Sequence, residues 1–99
     1  MWRLDVSAEA EVEIFEAAHR YEREKAGLGF RFEADLGHVF TRLAENPLQF
    51  PEVESEARRA LLRRFPYGVF FTAADDVVTV LAVLHLHRHP DTWKDRGRA

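Results

Sequence analysis

The run Val77-Val78-Thr79-Val80-Leu81-Ala82-Val83-Leu84-His85-Leu86-His87 decides the architecture. From 77 to 84 apolar residues fall on both odd and even positions, so an extended chain here has two apolar faces and needs neighbours or cover on each side. It reads as the central strand of a sheet. Two further strand-like runs, 57–65 and 67–72, precede it, separated by Pro66 and followed by Ala73-Ala74-Asp75-Asp76, which predicts an antiparallel three-stranded meander.

Upstream of Pro51 the period changes. Phe32, Leu36, Val39, Phe40 and Leu43 lie on one stripe at helical spacing, predicting a helix over 30–45 closed by Asn46-Pro47. Ile14, Phe15, Ala18 and Tyr21 form a second stripe, in a helix that starts after Ser7 as N-cap, with Glu9 and Glu11 in its first turn, and runs to about residue 25. Gly27-Leu28-Gly29 turns one helix back on the other as an antiparallel hairpin. Residues 48–56 show no period and read as loop. At the start, Trp2, Leu4 and Val6 alternate with Arg3 and Asp5, the mark of a short half-buried strand. The order is β-α-α-β-β-β, an α+β fold with a helical hairpin packed on a small, mostly antiparallel sheet. Ile14, Phe15, Leu36, Val39, Phe40, Leu81 and Val83 are expected to share its core.

Ninety-nine residues, 46% hydrophobic and 12% aromatic, suit a single packed domain spanning 1–99 and exclude disorder. The longest nearly apolar stretch, 77–84, is far shorter than the roughly 20 residues a membrane-spanning helix needs, so no membrane association is expected. The first residues lack the apolar core of a secretory signal, and the chain has no cysteine. A reducing cytoplasm is the expected compartment. Charge divides unevenly: residues 1–56 carry a net −7 and residues 57–99 a net +4, within an overall −3. Two surfaces of opposite sign are expected, the basic one suited to phosphate or to an acidic partner.

The element order, together with Gly29 before Phe32, Asn46-Pro47, Phe50-Pro51, the run from Arg58 to Tyr67, and the ending Val83-Leu84-His85, Arg88-His89-Pro90, Trp93 and Arg96, resembles the RelE/ParE toxin superfamily. The likeness covers nearly the whole chain and rests on several short motifs in order. It implies a plasmid-stabilisation toxin of a type II toxin–antitoxin system, neutralised by a cognate antitoxin. Within the superfamily, RelE-like members cut messenger RNA on the ribosome, using basic side chains on the sheet and often a late Tyr or His, whereas ParE-like members poison DNA gyrase.

RNA cleavage by an adjacent 2′-OH needs a base, cations for the phosphate and an acid for the leaving oxygen. The residues available for that set are Arg59 and Arg63, expected on one strand face, His85 and His87, and Arg88 at the end of the last strand. Arg58 and Arg64 are expected to face the other way. No Tyr follows Tyr67, and Trp93 has no titratable proton, so the terminal acid–base position is empty and no catalytic residue is assigned. Arg59 and Arg63 are instead candidates for pairing with acidic antitoxin residues, against the simpler reading of a solvated strand face.

His85, His87 and His89 alternate along an expected strand about 6.6 Å apart, near enough for two rings to meet one metal ion. With no further ligand placed by sequence, neither a metal nor a cofactor is expected. Tyr67 and Trp93 read as packing residues with a polar tip. The incomplete ribonuclease set and the ending favour a ParE-like gyrase inhibitor, the alternatives being a ribosome-dependent messenger endoribonuclease and a non-toxic relic that only binds antitoxin.

Overall fold

A computed structural model describes residues 1–89 and 91–96. Pro90, quoted above in the C-terminal motif, lies outside the described residues. The chain forms β1 (Arg3–Val6), α1 (Ala8–Glu24), α2 (Leu28–Glu45), β2 (Glu52–Glu54), β3 (Ala57–Leu61), β4 (Tyr67–Ala74) and β5 (Val77–His85), with short 3₁₀ turns at Pro47–Gln49 and Thr92–Asp95. The strands make one sheet in the order β1-β5-β4-β3-β2, parallel between β1 and β5 and antiparallel elsewhere. The α+β fold with a helical hairpin on the sheet is the one expected. The 77–87 run is interior, flanked by β1 and β4, but the middle strand is β4.

Local chemistry sets each boundary. The Ser7 hydroxyl accepts the Ala10 N–H at 3.1 Å and so caps α1. Gly27, at φ 89°, takes the left-handed conformation that turns the chain into α2. Gly29 allows the hairpin to close, because a Cβ there would stand 2.5 Å from the Ala18 backbone oxygen. Asp75 and Asp76, both at positive φ, form the two-residue turn between β4 and β5; Ser55 and Glu56 do the same between β2 and β3.

Several boundaries depart from the sequence reading; α2 begins at Leu28 rather than 30, and β4 runs on to Ala74 rather than 72. The 48–56 segment is not all loop, since Glu52–Glu54 pairs with β3 as an exposed edge strand too short to show a period. β3 ends at Leu61 rather than near 65, because the Arg63 and Arg64 N–H groups turn away to the Asp35 carboxylate at 3.3 and 2.8 Å. β5 ends at His85 rather than His87, where the Arg88 and His89 N–H groups close a turn on the His85 carbonyl.

Between helices and sheet lies the larger core, including Phe32, Leu36, Val39, Leu43, Val69, Phe71, Val78, Val80 and Val83, with Ile14 and Phe40 half-buried against it. Two expected members are elsewhere. Phe15 is 69% exposed and stacks on His19, because α1 turns Ala10, Ala17 and their neighbours to the sheet. Leu81 belongs to a second cluster on the opposite sheet face, with Ala57, Phe70, Ala82, Leu84 and Trp93, since the register shifts beside it. Trp93 stacks on Phe70 at 4.9 Å and is 4% exposed, a packing residue as expected.

Candidate functional site

The register separates the candidate residues. Arg59 pairs with Phe70, whose side chain is on the outer sheet face, whereas His85 pairs with Tyr67 on the helix-facing side. Since residues opposite each other across a ladder share a face, Arg59 and His85 lie on opposite sides of the sheet. Arg59 and Arg63 do not share a strand face either, because Arg63 lies past the end of β3. The Arg63 side chain lines a cavity with Asp35, His38 and Arg42 of α2. The sequence-derived ribonuclease set is thus divided among three places.

Each arginine of the 58–64 run has its own environment. Arg58 points to the helix side and donates to the Phe50 carbonyl at 2.6 Å, with Glu52 at 3.3 Å. Arg59 has a buried Nε without a hydrogen-bond partner among the described residues. Arg64 gives its backbone N–H to Asp35, as Arg63 does. Asp35, 5% exposed, is the buried charged group of the described residues, and its two oxygens complete the chain turn that follows β3.

His85, His87 and His89 do not form a row. His85 is the last residue of β5, and His87 and Arg88 lie in the turn beyond it. The His85 and His87 rings stand 5.7 Å apart, while the His87 N–H donates to His85 Nδ1 at 3.2 Å. Among the described residues no three His, Cys, Asp or Glu side chains are grouped to hold a metal ion.

What does come together is a corner that the sequence reading missed. β1 pairs only with Val77–Val80 of β5, so from Leu81 onward that edge of the sheet has no strand beside it and α1 passes over it instead. Glu13 accepts the Val83 N–H at 3.0 Å and pairs with Arg96 at 2.9 Å, and Arg96 also donates to the Leu81 carbonyl. The Ser7 hydroxyl donates to the same carbonyl. Next to these contacts a cavity of about 330 Å³ is lined by Glu13, Glu16, Arg20, Tyr67, His85 and Thr92, among others. The Arg20 guanidinium donates to the Tyr67 hydroxyl, and the Tyr67 and His85 rings meet edge to face at 5.3 Å.

The electrostatics of this corner are cationic around His85. Its partial burial, then the charges of Arg88, His87, Arg20 and His89, push its imidazole below the ordinary histidine value. One signal for the corner was present in the sequence: Ala10, Glu13, Ala17 and Arg20 recur at steps of three, four and three, placing two charges on the sheet-facing stripe of α1. A charge within such a stripe needs a partner across the interface.

A family model described as ParE toxin of type II toxin-antitoxin system, parDE, matches residues 4–90. A solved structure described as the chromosomal ParDE TA system from P. aeruginosa superposes with a TM-score of 0.76 at 16% identity, covering 86% of this chain and 96% of that one. A search of curated proteins finds no match. Among the described residues no helix is long and apolar enough to cross a membrane. With the family model matching nearly the whole sheet-and-hairpin unit, the chain belongs to the ParE toxin family of type II toxin–antitoxin systems.

Proposed function

We propose that this protein is a cytoplasmic toxin that arrests growth by inhibiting DNA gyrase and is neutralised by a cognate antitoxin. The observation that carries the choice of target is the division of Arg59, Arg63 and His85 among two sheet faces and a loop. A phosphodiester being cleaved needs its cations and its acid–base groups around one phosphate, and such a division does not supply that. Family membership supports the gyrase reading in place of messenger cleavage.

Antitoxin recognition draws on Arg59 and Arg63. Among the described residues neither has an ion-pair partner, and each leaves a guanidinium able to take a carboxylate by two parallel hydrogen bonds. The two serve different parts of the partner, Arg59 on the outer sheet face and Arg63 beside α2.

Induced expression is expected to produce gyrase-linked DNA breaks and growth arrest, with ribosome-bound messenger left uncut by the purified protein. Ribosomal A-site cleavage that disappears in Arg88→Ala would overturn this reading. Absence of any arrest, with antitoxin binding retained, would mark a binding relic. The Arg59→Glu, Arg63→Glu double variant is expected to bind the antitoxin more weakly, and unchanged affinity at low and moderate salt would remove both arginines from the interface.

A further inference from the structure

We propose that the cavity between α1 and the end of β5 is a carboxylate-binding site, in which Arg20, the Tyr67 hydroxyl and His85 receive an acidic side chain of a partner polypeptide. The proposal starts from donors left without an anion. Arg20 has no carboxylate within ion-pair distance among the described residues; its hydrogen bond goes to the Tyr67 oxygen. Because that oxygen already accepts from Arg20, the hydroxyl proton is free to be donated. Tyr67 is 3% exposed, so its hydroxyl is held in place by the core rather than by solvent. Its ring is fixed by edge contacts to Tyr21 and Phe32 at 6.1 and 5.1 Å.

His85 adds a third donor of known sense. Its Nδ1 accepts the His87 N–H, so the proton of the neutral ring is on Nε2. An imidazole, a phenol and a guanidinium line one cavity of about 330 Å³ and together present donors to it. Two carboxylates also line the cavity and bear on its sign. Glu13 is committed to Arg96 and the Val83 N–H, which neutralises it, and Glu16 is exposed, where water screens it. The groups that act on His85 from the adjoining turn, Arg88, His87 and His89, are all basic.

A carboxylate is favoured over a phosphoryl group because Arg20 is the one permanent cation among the described residues that line the cavity. That suits a single negative charge, whereas a phosphomonoester carries about −1.5 to −2 near neutrality and calls for more cations. The source of the acidic side chain rests on the antitoxin reading above, while the site itself does not.

The test uses the full chain and three extended pentapeptides, Thr-Val-Glu-Val-Thr, its Gln counterpart and its phosphoserine counterpart, titrated at constant ionic strength. Binding is followed by calorimetry and by the imidazole resonances of His85. The Glu peptide is expected to bind at least about tenfold more tightly than the Gln peptide, with the His85 signals shifting, and Arg20→Gln is expected to abolish that preference. Tyr67→Phe keeps the packing ring and is expected to reduce the preference without abolishing it. Equal affinity for Glu and Gln peptides, no peptide binding at millimolar concentration, or a preference that survives Arg20→Gln would each overturn the proposal. A phosphoserine peptide bound more than tenfold tighter than the Glu peptide would overturn it in favour of a phosphoryl site. A chain that keeps the Glu preference but does not arrest growth would lose the toxin reading and retain the site.

Discussion

Asp35 of α2 and Glu13 of α1 do the same task at two ends of the sheet, with different results. Each is a helix carboxylate that accepts backbone N–H groups, Asp35 from the turn after β3 and Glu13 from the part of β5 that β1 does not reach. Asp35 accepts two, from Arg63 and Arg64, and is 5% exposed. Glu13 accepts one, from Val83, and spends its remaining capacity on Arg96, with both side chains about one-fifth exposed. The Asp35 acceptor is matched by backbone donors from a tight chain turn, and beside it lies a cavity of about 460 Å³ lined with His38, Arg42 and Arg63. The Glu13 corner is held by side chains and stays open beside the cavity of Arg20, Tyr67 and His85. Asp35 is satisfied wholly by backbone N–H groups, whereas Glu13 divides its oxygens between a backbone N–H and the Arg96 guanidinium.

The largest way to break this comparison is Asp35→Ala, which leaves two N–H groups without an acceptor. It is expected to destabilise the chain by roughly 2–5 kcal/mol in urea unfolding. A change below about 1 kcal/mol would show that water replaces the carboxylate as acceptor for the two N–H groups. Glu13→Gln keeps an acceptor for Val83 and removes the charge opposite Arg96, so about 1–2 kcal/mol is expected. Combining it with Arg96→Gln should add little, and full additivity would deny the pairing.

Ser7→Ala removes the cap of α1 and one donor to the Leu81 carbonyl, which Arg96 still serves, for an expected loss of about 1 kcal/mol. The smallest effect concerns pH. His85 has a folded value below its unfolded one, so the folded chain prefers the neutral ring. The stability tied to that preference is present above the unfolded value, about 6.5, and is lost as pH falls through the lowered folded value. His85→Gln is expected to lose less stability than the parent over that interval. An identical acid dependence in the two proteins would place His85 in an ordinary aqueous setting.

Much of the fold was legible because it depends on period and punctuation. The stripe of Phe32, Leu36, Val39 and Leu43 is buried as read, and Asp75-Asp76 turns the chain where expected, whereas of Gly27-Leu28-Gly29 only Gly27 lies in the turn and α2 already begins at Leu28. Phe15 was misplaced because α1 carries apolar residues on more than one side, and local pattern does not say which side meets the sheet. β2 was missed because three exposed residues, Glu52, Val53 and Glu54, have too short a run for a period to appear. The arginine and histidine strings were read as continuous strands, yet Asp35 ends one and a turn on the His85 carbonyl ends the other.

By itself the sequence determined the element types, the hairpin of helices, the antiparallel meander and the family likeness, since these follow from the spacing of apolar residues and from short motifs in order. Only the tertiary structure decided which charges meet. Arg20 and Tyr67 are 47 residues apart, and Glu13 and Arg96 are 83 apart. Whether such groups touch depends on strand register, on the rotation of α1 over the sheet and on β1 stopping at Val6. A one-residue slip in register moves a side chain to the other face. That is why Arg59 and His85, both legible as basic strand residues, came to lie on opposite sides, while Arg20 and His85 came to share a cavity.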